Sequence, residues 1–174
     1  MKNRFLTGLV VGVILGVGLV AGGMYLFFAG GYAPVATAAN PLPFEKFMAR
    51  RALHARLKKE MPTAVPIMPT EANLLAGVAI YRTHCAGCHG LPGQPEAAFT
   101  RQMFPPAPHL FRGKGVTDDE PGETYWKAVN GIRLTGMPGF RGILTDDQLW
   151  QVSLILAKAH ELPLSVKSAL TAKD

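Results

Sequence analysis

The 174-residue chain carries 18 Lys and Arg against 12 Asp and Glu, a net charge of +6, enough to raise nucleic acid as a partner. The placement of the charges argues against that partner: Lys2 and Arg4 open the chain, and residues 41–60 hold Lys46, Arg50, Arg51, Arg56, Lys58 and Lys59 against Glu45 and Glu60. From Met61 onward ten basic residues face ten acidic ones, and Cys85 and Cys88 are the only cysteines, too few for a disulfide framework.

Phe5 to Phe28 contains no charged residue. At about 1.5 Å of rise per residue this run reaches across a hydrocarbon core of about 30 Å, so residues 1–30 read as a single membrane anchor. A cleaved secretory signal is the competing reading, with Ala36-Thr37-Ala38-Ala39 as a cleavage site. Lys2 and Arg4 ahead of the run place the N-terminus in the cytoplasm and the rest on the far side. Gly8, Gly12 and Gly16 recur every four residues along one face, a strip against which a second helix can pack closely.

Residues 31–69 read as a connector, basic and then Pro-rich. The stretch 49–59 is helical in composition, and two readings stand for it: a solvated linker helix, or a helix lying on anionic headgroups. Pro62, Pro66 and Pro69 then break the chain.

Residues 70–162 read as the folded domain. Thr70 can cap a helix opening at Glu71, and Leu74, Val78, Tyr81, Cys85 and Cys88 follow at steps of four, three, four and three. Gly90 to Pro121 has no sustained periodicity and reads as loop. Glu123 to Asn130 makes a short helix stopped by Gly131, and Ile132 to Leu144 is a second loop. Thr145 and Gln148 form a capping-box pattern for a last helix running to about Glu161, with Leu149, Val152 and Leu156 on one side. Residues 163–174 read as a tail. No strand-like alternation occurs, so the fold class is all-α.

Cys85-Ala86-Gly87-Cys88-His89 carries the chemistry, because C-x-x-C-H is the haem c attachment signature. Cysteines three apart at a helix end present both sulfurs to one side, where two thioethers can form, and the next residue brings an imidazole beneath the iron. The competing readings fit less well. A thioredoxin-like pair wants a βαβ setting, zinc wants four ligands, and a disulfide between residues three apart closes too small a loop to matter and leaves His89 unexplained.

From Thr70 to Leu162 the chain resembles the class I cytochromes c, and more narrowly the small cytochrome c domains also found in subunits of cbb3-type oxidases. Gly77 and Tyr81 sit before Cys85 as in that family, and Trp150 falls in the last helix, where the family crosses its terminal helices. Residues 105–110, Pro-Pro-Ala-Pro-His-Leu, resemble the proline loop, and 131–140, Gly-Ile-Arg-Leu-Thr-Gly-Met-Pro-Gly-Phe, the methionine loop. The resemblance implies one covalent haem c with His89 as proximal ligand, Met137 as distal ligand, and the Pro108 carbonyl accepting from the other nitrogen of the proximal histidine. Leu91 to Arg101 follows the family only in its Gly-Pro flavour, and the first sixty residues have no counterpart.

Position near the methionine loop suggests Arg133 as a haem-propionate partner and Tyr125 or Trp126 as cleft walls. Met103 reads as pocket lining, and His109 is the next ligand candidate after Met137. Asp118, Asp119, Glu120 and Glu123 suit the N-terminus of the middle helix. The function expected is outer-sphere electron transfer rather than catalysis, from the periplasmic side of the cytoplasmic membrane, since haem attachment of this kind occurs outside the cytoplasm. A quinol-oxidising complex, a terminal oxidase or a periplasmic dehydrogenase of a respiratory chain would be the partner. Two other readings stand beside it: a fixed haem subunit of a larger oxidoreductase, and a haem enzyme or gas sensor with a labile distal Met137.

Overall fold

The computed structural model describes residues 2–112 and 119–172, and Asp118 of the acidic cluster lies outside them. Two compact units divide between Lys46 and Phe47. The first contains α1 (Lys2–Ala29), an unbroken helix whose mean hydropathy is 2.4 over Asn3–Ala29 and of which nothing is buried. Its length of about 40 Å exceeds a bilayer's hydrocarbon thickness. Gly8, Gly12 and Gly16 have open space where a Cβ would stand.

The second unit begins inside α2 (Glu45–Glu60). Leu57 is 2% exposed, and Glu60 accepts a hydrogen bond from the Trp126 indole at 3.2 Å. The region expected to be a connector is therefore docked along its second half. The Pro-rich stretch is docked too: a Cβ on Gly122 would lie 1.9 Å from the Pro62 carbonyl oxygen, so only glycine admits that backbone there.

Helix α3 (Glu71–His84) starts where Thr70 Oγ1 accepts from the Asn73 amide at 3.3 Å, and it buries Leu74, Val78, Ile80 and Tyr81. It leads into α4 (Ala86–His89), a single turn holding the cysteine pair. The first long loop contains one 3-10 turn, Ala98–Gln102, around the buried Thr100. Helix α5 (Pro121–Asn130) opens two residues before the expected start, because Pro121 supplies a first-turn residue that needs no amide partner. Helix α6 (Asp146–Ala157) has the complete Thr145/Gln148 capping box and ends four residues short of the expected stop.

The chain end is not a tail. Leu162 turns into the core, and α7 (Leu164–Thr171) buries Val166 and Leu170 against α3. Arg82 of α3 donates to the carbonyl oxygens of Leu170 and Ala172 at 3.3 and 2.7 Å, satisfying the end of α7 with a cation where the helix dipole favours one. Among the described residues no strand forms beyond a single bridge between Arg141 and Leu144.

The core centres on α3 crossing α6, with Leu74, Val78 and Tyr81 against Val152, Ile155 and Leu156. Gly77 sets the approach: a Cβ there would lie 2.3 Å from the Gln151 carbonyl oxygen. Helix propensity alone would make Gly77→Ala stabilising by about 0.8–1 kcal/mol. Overpacking against backbone costs about 1–3 kcal/mol, so the net change is expected to be a loss, read as a lowered denaturation midpoint.

Candidate functional site

His89 is held from three directions. Its amide closes the α4 turn on the Cys85 carbonyl at 2.9 Å, its carbonyl accepts from Leu110 N at 3.3 Å, and its Nδ1 lies 2.7 Å from the Pro108 carbonyl oxygen. A carbonyl only accepts, so Nδ1 carries the proton and Nε2 keeps its lone pair. Burial lowers the basicity of His89 below the ordinary histidine value, with the Pro108 bond opposing, a shift toward the neutral imidazole that ligates metals.

The segment bearing Pro108 is fixed by His109. Its Nε2 donates to the Gln94 carbonyl at 2.9 Å and its Nδ1 accepts from Phe111 N at 3.2 Å, so both ring nitrogens serve the loop and neither is offered as a ligand. Tyr81 donates to the Gly90 carbonyl at 2.7 Å, and burial pushes its phenol well above the ordinary range. Gly90, at φ +73°, lies where a Cβ would strike the His109 ring 2.6 Å away.

Met137 is presented by a loop pinched at its base. Gly131, at φ +66°, packs where a Cβ would be 2.5 Å from Gly139 N, and Phe140 N donates to the Ala128 carbonyl at 2.9 Å. Inside the loop, Thr135 Oγ1 donates to the Ile132 carbonyl at 2.7 Å and accepts from Met137 N at 3.1 Å. These bonds fix the backbone of the very residue whose thioether is of interest.

The two arms face one cleft. Cys85, Cys88 and His89 line it from below, Met137 and Pro138 from the methionine loop, and Pro105, Pro106 and Pro108 from the proline loop. Val152 and Leu156 of α6 close its floor, and Met103 lines it as expected, with Gly136 close against its methyl. The α5 wall differs from expectation. Thr124, Lys127 and Ala128 face the cleft, whereas Tyr125 stacks on Trp150 at 4.1 Å with its hydroxyl on Asp146, and Trp126 turns to Glu60. Leu53 of α2, which sequence reasoning left outside the domain, also lines it. His84 reaches the cleft as well, its ring edge-to-face with Phe140. Arg133 stands exposed on the methionine loop.

Lys127 pairs with Asp119 at 2.9 Å and Glu123 at 2.6 Å. Burial works against its charge, but the hydrogen bonds to those two carboxylates outweigh it and raise its pKa, so the α5 wall keeps its cation. Asp119 and Glu123 thus serve α5 locally.

Both cysteines are free thiols, and the Cys85 thiol is pushed up to about 12 by burial and by the neighbouring Cys88. A redox-active dithiol needs the opposite shift. Among the described residues no group of three His, Cys, Asp or Glu is placed to hold a metal ion. The donor set fits haem c instead: two thiols on one helical turn, a neutral imidazole with Nε2 free, and a thioether across an apolar cleft. Thr124 Oγ1 strengthens the fit: it is buried on a residue lining the cleft and has no hydrogen-bond partner among the described residues, as a group whose partner is a bound ligand would be.

Residues 72–154 match the family model described as cytochrome c oxidase, cbb3-type, subunit III. The match supports a class I cytochrome c domain like those of cbb3 oxidase subunits, an electron-transfer module, and that family implies covalently bound haem c. Among solved structures, a chain of the Kuenenia stuttgartiensis reducing HAO-like protein complex Kustc0457/Kustc0458 is 26% identical, with a TM-score of 0.48. The match covers 57% of this chain and 49% of that one, so the chain spans about half its length. No curated protein matches the chain.

Proposed function

We propose that the protein is a membrane-anchored monohaem electron carrier, with thioethers at Cys85 and Cys88 and axial ligation by His89 and Met137. The observation that carries the reading is the 2.7 Å contact of His89 Nδ1 with the Pro108 carbonyl, which keeps the Nε2 lone pair for a ligand in a cleft that His89 and Met137 both line. One cysteine pair and one adjacent histidine supply attachment for one haem.

Bound there, haem c supplies reversible one-electron chemistry at iron. The chain's residues keep that chemistry confined to electron transfer. Pro108 holds the proximal ring in orientation and sustains its basicity. Met137, its backbone fixed by Thr135, would bind the iron through its thioether and favour the reduced state. The apolar walls exclude water, and Arg133 at the rim is placed to meet a propionate. With α1 in the cytoplasmic membrane and Lys2 and Arg4 inside, the domain works in the periplasm. Its partners are a quinol-oxidising complex, a terminal oxidase or a periplasmic dehydrogenase, met through small and brief contacts for which tethering substitutes for affinity.

Carbon monoxide added to the ferrous protein tests the carrier reading. A six-coordinate carrier is expected to leave its spectrum unchanged over minutes, whereas rapid binding would assign the site to an open iron and hence to gas sensing or catalysis. A second expectation concerns Thr124. A buried hydroxyl without a partner costs about 1–3 kcal/mol, so Thr124→Val would stabilise an unpartnered site. In the haem-loaded protein the same substitution is expected instead to lower stability by about 1 kcal/mol, read from the thermal midpoint.

A further inference from the structure

Helix α2 is two-sided. At 3.6 residues per turn, Leu53, Leu57 and Glu60 fall on one side, and this side is committed to the cytochrome domain through the buried Leu57, the cleft-lining Leu53 and the Glu60 bond to Trp126. The opposite side presents Phe47, Met48, Arg51, Lys58 and Lys59, all exposed, with Phe47 and Met48 at 62% and 61%.

Exposed large apolar side chains beside cations match the two contacts a lipid boundary offers, the acyl edge to Phe47 and Met48 and the phosphates to Arg51, Lys58 and Lys59. The chain's connectivity brings that face to such a boundary. Only residues 30–44 separate α1 from α2, a tether of at most about 50 Å fully extended. The apolar pair stands at the end of α2 where the tether arrives. From Met61 onward the basic and acidic residues balance, so the cationic surplus outside the first four residues is gathered in this helix. An acidic protein would engage the cations but leave Phe47 and Met48 without a use.

We propose that the outer face of α2 lies on an anionic phospholipid surface, so that the cytochrome domain is held in one orientation rather than swinging on its tether. Because the inner face of the same helix lines the cleft at Leu53, the cleft is presented with that wall toward the bilayer, and soluble or membrane partners meet the haem from the remaining sides. The proposal rests on α1 being a membrane span.

The test reconstitutes the full-length haem-loaded chain in nanodiscs of phosphatidylcholine alone or with one part in three of phosphatidylglycerol, and follows acylation of individual lysines by mass spectrometry. Lys58 and Lys59 are expected to react about ten-fold more slowly in the anionic discs, with recovery in high salt, while the exposed Lys167 reacts alike in both. The Phe47→Ser/Met48→Ser variant should show a smaller slowing. Equal rates for Lys58 and Lys59 in the two lipids would overturn the proposal, as would a slowing shared by Lys167. Retention of the chain in the discs after a high-salt wash reads α1 separately: loss of the chain would remove the anchor and this proposal together, whereas retention with equal lysine rates would remove this proposal alone.

Discussion

Replacing both Cys85 and Cys88 with alanine is expected to yield a chain from which acid-acetone removes all haem, and one that no longer folds stably as a domain. Cys85 caps the single turn α4 and Cys88 lies within it, and no other cysteine exists to replace them. The loss of stability follows from the architecture. The α3–α6 crossing supplies a compact core, but the proline and methionine loops line the cleft with apolar surface that has little else to bury against. A ligand held covalently cannot dissociate, so its contribution is not limited by concentration; a merely associated haem stabilises only in proportion to its occupancy. The variant's thermal midpoint should fall by many degrees, and haem surviving extraction would sink the attachment assignment.

Met137→Ala carries the second large expected effect. Loss of the thioether should lower the reduction potential by on the order of 0.1 V or more, within the roughly 0.8 V range that axial ligands span. It should also let the ferrous protein bind carbon monoxide rapidly, with haem still covalently attached. The methionine loop is expected to survive the substitution, because Thr135, Gly131 and the Phe140 bond to Ala128 hold it by backbone contacts that do not involve the side chain. An unchanged potential would remove Met137 from the ligand set. His109 is not the fallback, since both its ring nitrogens are engaged by Gln94 and Phe111.

Much of the domain was legible because its signals are local. The Thr70 cap, the Thr145/Gln148 box and the stop at Gly131 are short patterns with short-range causes, and each marks a helix boundary within a few residues of its position. The residues that converge on the cleft were legible for a different reason. Spacing placed Cys85, Cys88 and His89 on one turn, and the resemblance supplied the two loops that meet them.

What was misread depended on tertiary context. Tyr125 and Trp126 are the prominent side chains of α5, but the face at Thr124, Lys127 and Ala128 is the one turned to the cleft, and the aromatics are drawn off by Trp150, Asp146 and Glu60. Leu53 and Leu57, four residues apart, are the only signal that α2 packs on the domain, and six cations around them made the helix read as either a solvated linker or a helix on headgroups, not as part of the domain. In α7 the matching signal is two residues, Val166 and Leu170, in a segment too short to show a period. Arg82, which ends that helix, lies 88 residues away from Leu170 in sequence.

Absorption spectra of the purified protein, oxidised and dithionite-reduced and extended into the near infrared, test the central claim most directly. The account predicts sharp low-spin bands on reduction and, in the ferric state, the weak near-infrared band of sulfur bound to iron, lost in Met137→Ala. A high-spin spectrum without that band would contradict it and place an open coordination site where the methionine loop now stands.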